Sequence, residues 1–200
     1  MKTLIAVPCM DMVAAPFAQS LATLKKEGEC LMSFMVGSLV YESRNKIAAQ
    51  ALVAKTDYVL WLDSDMTFPQ DLIPRMIKHM EDGKEIVTGL YFRRRSPFTP
   101  VLFKKLGKES EDYPDYPRDS VFEVEGCGFG CVMLKTAVLE DVMLNKHNWF
   151  EPIEKFGEDL SFCIRARELG HKIYCDSSIK CGHVGQLIVN EDVYQANIKE

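Results

Sequence analysis

No stretch of this chain approaches the ~20 consecutive apolar residues that span a bilayer, and the longest candidate, Cys30 to Val40, is broken by serine and glycine. A membrane-spanning helix is therefore not expected. Paired zinc-ribbon spacing is also missing: Cys127-x3-Cys131 and Cys175-x5-Cys181 do not fit it, which argues against a structural zinc. There is no P-loop, no G-x-G-x-x-G and no G-x-S-x-G, so the usual signatures of phosphate-loop, dinucleotide and serine-hydrolase chemistry are absent. Positive charge is not in excess either. The net charge is −5, and no global field draws the chain to nucleic acid or acidic membranes.

What remains is an ordinary globular composition, 47% hydrophobic and 26% charged, enough to bury a substantial core. The length of 200 residues suits a single domain. Seven cysteines, an odd number scattered through apolar segments, suit a reducing cytoplasm rather than a disulfide framework. Lys2 and the apolar residues after it faintly imitate a secretory signal, but Pro8 and Asp11 interrupt them. Export is not expected.

Strand-like and helix-like segments alternate, the pattern of an α/β sheet. Strands are expected at 3–7, 31–36, 58–62, 85–88, 121–124 and within 126–134, with a final one at 172–175. Helices are expected at 14–26, 42–55, about 70–83, 136–144 and 158–169. Tyr58 to Leu62 is apolar on both faces, as befits a central strand. The polar text from about 93 to 120, rich in Tyr, Pro and Asp beyond Lys104, reads as an inserted loop.

Three local patterns carry chemistry. Asp63-Ser64-Asp65 follows the central strand; in extended backbone residues i and i+2 share a side. The position lies beyond the carboxyl end of a strand, where open α/β sheets bind ligands. Two hard oxygen donors there suit Mn²⁺ or Mg²⁺ on a diphosphate, although Asp and Ser are also ordinary turn residues. Glu158-Asp159 opens a helix, where an acid is held ionised and can act as a base, though capping is the commoner use of such residues. His183, between Gly182 and Gly185, is a candidate late-loop ligand.

The ordered set DYVLWLDSDMTFP, EGCGFGCVML and GEDLSFCIRARELGHKIYCDSSIKCGHVG, with YESRNKIAAQAL upstream, resembles GT-A-type nucleotide-sugar glycosyltransferases of the family-2-like kind. The likeness runs from about Thr3 to Gly185. It implies one GT-A, Rossmann-like domain over 1–200 with a mixed, mainly parallel sheet flanked by helices. It implies metal-dependent transfer of a sugar from a UDP- or GDP-sugar to a glycan or other hydroxyl acceptor, with inversion. By the same resemblance Asp65 ligates the cation and Asp63 contacts it or the donor ribose. His183 is the late metal ligand, Asp159 the base and Glu158 its neighbour or substitute. Pro8, Cys9, Met10 and Asp11, with Arg44, Asn45 and Ser64, line the nucleotide pocket. Gly126, Cys127 and Gly128 pass near the donor sugar or acceptor.

One departure concerns the nucleobase. Where many such enzymes carry an acid at the end of the second strand, this chain reads Met35-Val36-Gly37-Ser38. Acceptor choice is expected to rest on the insert, the Arg93-Arg94-Arg95 loop or a partner protein. The arginine loop could grip a phosphate or an anionic acceptor by bidentate contacts, although by itself it reads rather as solvated; with Lys104 and Lys105 it forms a modest basic cluster, which leaves a DNA acceptor conceivable but not favoured. Competing readings are a sugar nucleotidyltransferase, which the absent glycine-rich phosphate loop disfavours, and a non-catalytic sugar-nucleotide-binding module on the same fold.

Overall fold

The computed structural model describes residues 1–107, 109–185 and 188–197. The elements follow in the order β1 (Lys2–Cys9), α1 (Ala15–Thr23), β2 (Glu29–Val36), α2 (Val40–Val53), β3 (Tyr58–Leu62), β4 (Met66–Thr67), α3 (Leu72–Glu81) and β5 (Ile86–Leu90). Then come β6 (Leu102–Lys105), β7 (Glu111–Asp112), β8 (Val121–Val124), β9 (Gly126–Cys127), β10 (Cys131–Lys135), α4 (Thr136–Lys146) and α5 (Glu158–Glu168). The described chain closes with β11 (Ile173–Lys180), β12 (Gly182–Val184), β13 (Ile188–Val189) and α6 (Glu191–Asn197).

Seven strands form the central sheet in the order β2-β1-β3-β10-β5-β11-β8. β10 and β8 run against their neighbours, while the other five share one direction. This is the mixed, mainly parallel α/β sheet expected. The alternation of side chains explains its layers. Leu4 and Ala6 of β1, with Val59 and Trp61 of β3, face the core shared with α2, α4 and α5. Ile5, Val7, Leu60 and Leu62 face the opposite core, built with α1 and α3. Because both faces are covered, all these side chains are buried.

From β1 the chain crosses by α1 to β2 on one side, then returns by α2 to β3 on the other. Sheets that reverse in this way open a crevice at the carboxyl ends of the strands on either side of the reversal. The crevice here lies beyond Cys9, Val36 and Leu62.

Three expectations are corrected. Pro8 does not end β1, which runs to Cys9; β1 pairs with β3 only as far as Ala6, so at Pro8 the strand has a ladder neighbour on one side alone. The insert is not a plain loop: β6 pairs with β7 and β9 in a small antiparallel sheet that buries Leu102. Its residue 108 lies outside the described positions. β11 is longer than expected and is not the last strand, since β12 and β13 follow, and β12 pairs with both β13 and β4 in another three-stranded sheet. That small sheet proves decisive for the site.

Candidate functional site

Asp63-Ser64-Asp65 is a turn, not extended backbone. The Met66 N–H donates to the Asp63 carbonyl at 3.1 Å, closing it. The i, i+2 argument therefore fails for these two acids, yet both still reach one cleft, because the turn hangs over the end of β3. The cleft encloses about 500 Å³ and is lined by Pro8, Cys9 and Met10 at the end of β1, Gly37, Ser38 and Val40 after β2, and Asp63, Ser64 and Asp65. Arg44, Arg94, Glu158 and His183 complete its polar wall.

The late histidine reaches this place through backbone pairing. β12 runs antiparallel to β4, setting His183 opposite Met66 and Gly182 opposite Thr67. The Val184 N–H donates to the Asp65 carbonyl at 2.7 Å. A Cβ on Gly182 would collide with the Thr67 hydroxyl and with Ile188, so only glycine lets the strands approach. His183 Nδ1 lies 2.9 Å from the Phe92 carbonyl. A carbonyl only accepts, so Nδ1 carries the proton and Nε2 is left facing Asp65 Oδ1, 3.5 Å away. Burial alone would raise the Asp65 carboxyl; the contact with His183 and the charge of Arg94 outweigh it and hold the group below its ordinary value.

Arg44 anchors the opposite wall. It is 2% exposed, and its Nη2 donates to Asp63 Oδ1 at 2.8 Å while Nε lies 3.5 Å from Glu158 Oε1. The rings of Trp61, Phe129 and Phe150 surround its guanidinium, with centroids at 5.6–6.0 Å. Its Nη1 has no hydrogen-bond partner among the described residues. Burial works to depress this cation, but Asp63, then Glu158 and Asp159, reverse the effect and raise it. Trp61 is thus fully buried core, as its sequence context suggests, but its ring also forms part of the box that holds Arg44.

Glu158 and Asp159 open α5, and they divide their tasks. Glu158 turns to Arg44 rather than capping the helix. Asp159 accepts the Leu160 N–H at 2.7 Å. Its carboxyl is pushed up to about 6, first by burial and then by the like charge of Glu158, against the pull of Arg44 and of that N–H. Such a group is ionised at neutral pH yet a far stronger proton acceptor than an ordinary aspartate.

The other sequence candidates fall less centrally. Cys9 lines the cleft, and burial with the nearby Asp11 raises its thiol, so it is no thiolate. Asp11 itself is exposed and does not line the cleft. Asn45 accepts the Phe150 N–H at 3.0 Å and so ties α2 to the segment after α4. Gly126, Cys127 and Gly128 are buried and absent from the cleft wall. A Cβ on Gly128 would strike the Tyr91 hydroxyl. That hydroxyl accepts the Gly130 N–H at 3.1 Å, and the Tyr91 ring meets His183 edge-on at 5.7 Å.

Sequence reasoning passed over Tyr91 and took the arginine loop as solvated. Arg94 in fact faces the cleft, with Nη1 2.8 Å from Asp65 Oδ2. The signal was present in three consecutive arginines directly after a central strand.

Among the described residues, no group of three or more His, Cys, Asp or Glu side chains is arranged to hold a metal ion. Asp65 and His183 offer two ligands. That suits a cation of the Mn²⁺ or Mg²⁺ type, which takes one or two protein ligands and completes its shell with phosphate oxygens and water. No helix among the described residues is long and apolar enough to cross a membrane.

Comparisons with known proteins agree with this architecture. The structure titled "Crystal Structure of A197 from STIV" superposes with a TM-score of 0.70 at 22% identity, covering 92% of this chain and 86% of that one. At that identity the likeness speaks for the fold. No curated protein matches. The family described as glycosyl transferase family 2 matches residues 41–143, from the start of α2 through the acidic turn into α4, which is more than half of the chain. The chain belongs to glycosyl transferase family 2.

Proposed function

We propose that this protein transfers a sugar from a nucleoside-diphosphate sugar to an acceptor hydroxyl, with inversion at the anomeric carbon and dependence on a divalent cation. One observation carries the reading: the acids of the Asp63–Asp65 turn and Glu158 of α5, from two distant parts of the sequence, border one cleft with a buried arginine and an imidazole at the carboxyl ends of β1 to β3, and Asp159 follows Glu158 directly.

Asp159 takes the acceptor proton. The acceptor oxygen then bonds to the anomeric carbon as the bond from that carbon to the β-phosphate oxygen breaks, and its electron pair stays on the departing diphosphate. An acceptor hydroxyl is a weak acid, so a base raised to about 6 is well matched to remain free at neutral pH and still accept the proton. Asp65 and His183 Nε2 are the residues that would hold the cation. When bound, a Mn²⁺ or Mg²⁺ ion supplies Lewis-acid stabilisation of the leaving diphosphate. Asp63, fixed through one oxygen by Arg44, presents the other to the donor ribose. Pro8 to Met10, with Gly37, Ser38 and Val40, frame the nucleobase.

The test is release of UDP or GDP from a panel of UDP- and GDP-sugars with Mn²⁺, with and without hydroxyl acceptors. The expected result is release by the wild type and its loss in Asp65→Asn and Asp159→Asn. Failure of every donor to bind in the presence of Mn²⁺ would overturn the reading.

A further inference from the structure

Arg94 stands in a position that neither the family nor the proposed chemistry explains. It lies on the loop after β5, and that loop is fastened by its neighbour: Arg93 donates to Asp112 Oδ1 at 2.9 Å and covers the Phe103 ring. The Arg93 N–H also bonds the Thr99 carbonyl at 2.9 Å. With the loop fixed there, the next side chain is delivered into the cleft. Arg94 Nη1 sits 2.8 Å from Asp65 Oδ2 and 3.5 Å from the Val184 carbonyl. It is 49% exposed, so water is already at hand and nothing encloses the guanidinium.

The same aspartate is one of the two side chains suited to a divalent cation. A cation bound to a carboxylate stands a little over 2 Å from its oxygen, and a guanidinium on the partner oxygen would then be repelled at close range. The two positive groups compete for Asp65. We infer that Arg94 is a positioning residue that rests on Asp65 in the unloaded enzyme, gives way when the cation arrives with the donor, and moves onto the donor diphosphate. Its planar fork matches phosphate oxygens better than a single carboxylate oxygen. The exchange has a clear consequence. The free enzyme holds its cation weakly, and cation and nucleotide bind cooperatively, because only the diphosphate gives the displaced arginine a new partner.

This inference rests on the metal-dependent reading, and the experiment separates the two. Mn²⁺ affinity is measured by electron paramagnetic resonance without nucleotide, and UDP and GDP affinity by calorimetry at saturating Mn²⁺, for wild type, Arg94→Gln, Arg94→Lys and Asp65→Asn. Arg94→Gln is expected to bind Mn²⁺ alone roughly two- to fivefold more tightly, the reach of a half-exposed ion pair. It is expected to bind the nucleoside diphosphate roughly 10- to 100-fold more weakly, the loss of a charge-assisted bond. Arg94→Lys should recover part of the nucleotide affinity. Unchanged or weaker Mn²⁺ binding by Arg94→Gln, with Asp65→Asn binding none, would overturn the role of Arg94 alone. Mn²⁺ binding by Asp65→Asn at wild-type strength would overturn the metal reading and this inference with it.

Discussion

Replacing Asp159 by asparagine should abolish sugar transfer and at the same time make the protein more stable. The folded carboxyl titrates at about 6 against an ordinary value of 3.8. Below about pH 4 the group is protonated in both the folded and the unfolded chain, and it costs nothing. Between about 4 and 6 the unfolded chain has lost the proton while the folded chain keeps it, so stability falls as pH rises. Above about 6 the full penalty is in force. At about 1.4 kcal/mol per pH unit the gap amounts to about 3 kcal/mol; since the residue is half-buried rather than sealed from water, about 1–3 kcal/mol is expected. Asparagine keeps an oxygen for the Leu160 N–H and removes the charge. Paired urea denaturations at pH 4 and pH 7.5 give the comparison. The variant should match the wild type at pH 4 and exceed it by that margin at pH 7.5, a rise of roughly 3–9 °C in Tm for a chain of this size. A variant no more stable than wild type at pH 7.5, or one whose advantage is the same at both pH values, would refute the electrostatic account of Asp159.

Other outcomes follow from the same geometry. The rate of transfer at low donor concentration should rise with pH through an apparent pKa near 6, and Glu158→Gln should move that limb to lower pH by removing the like charge beside Asp159; a pH–rate profile reads both. Arg44→Ala leaves Asp63 and Glu158 without their cation and opens a void among three aromatic rings, and should cost about 3 kcal/mol in chemical denaturation. Gly182→Ala forces β12 away from Thr67 and should weaken Mn²⁺ binding at least tenfold while leaving the central sheet folded, as far-ultraviolet circular dichroism would show.

The central strands were legible because burial on both faces writes a continuous apolar run, as in Tyr58 to Leu62, and the helices because their apolar residues recur with helical spacing. Asp63, Asp65, Glu158 and His183 were legible as types in an order. Their common cleft was not, because it depends on the β4–β12 ladder, two short segments that carry no periodicity of their own. The insert hid its small sheet for a similar reason: β7 and β9 are two residues each, held by pairing rather than by pattern. Arg94 was misread because charge in a loop is normally solvated, and only the fastening of Arg93 to Asp112 and Phe103 turns its neighbour inward. For Gly126 to Gly128 small size has another meaning than substrate access: it makes room for Leu106 and the Tyr91 hydroxyl.

The short ladder joining Met66 to His183 closes a loop of more than a hundred residues. A few backbone bonds alone do not repay the loop entropy of so long a span, so the ladder depends on the sheet that brings its two ends together. A chain still lacking this seam would own its nucleotide shelf and its base without the imidazole. Under the proposed function, competence for chemistry would thereby be tied to completion of the fold.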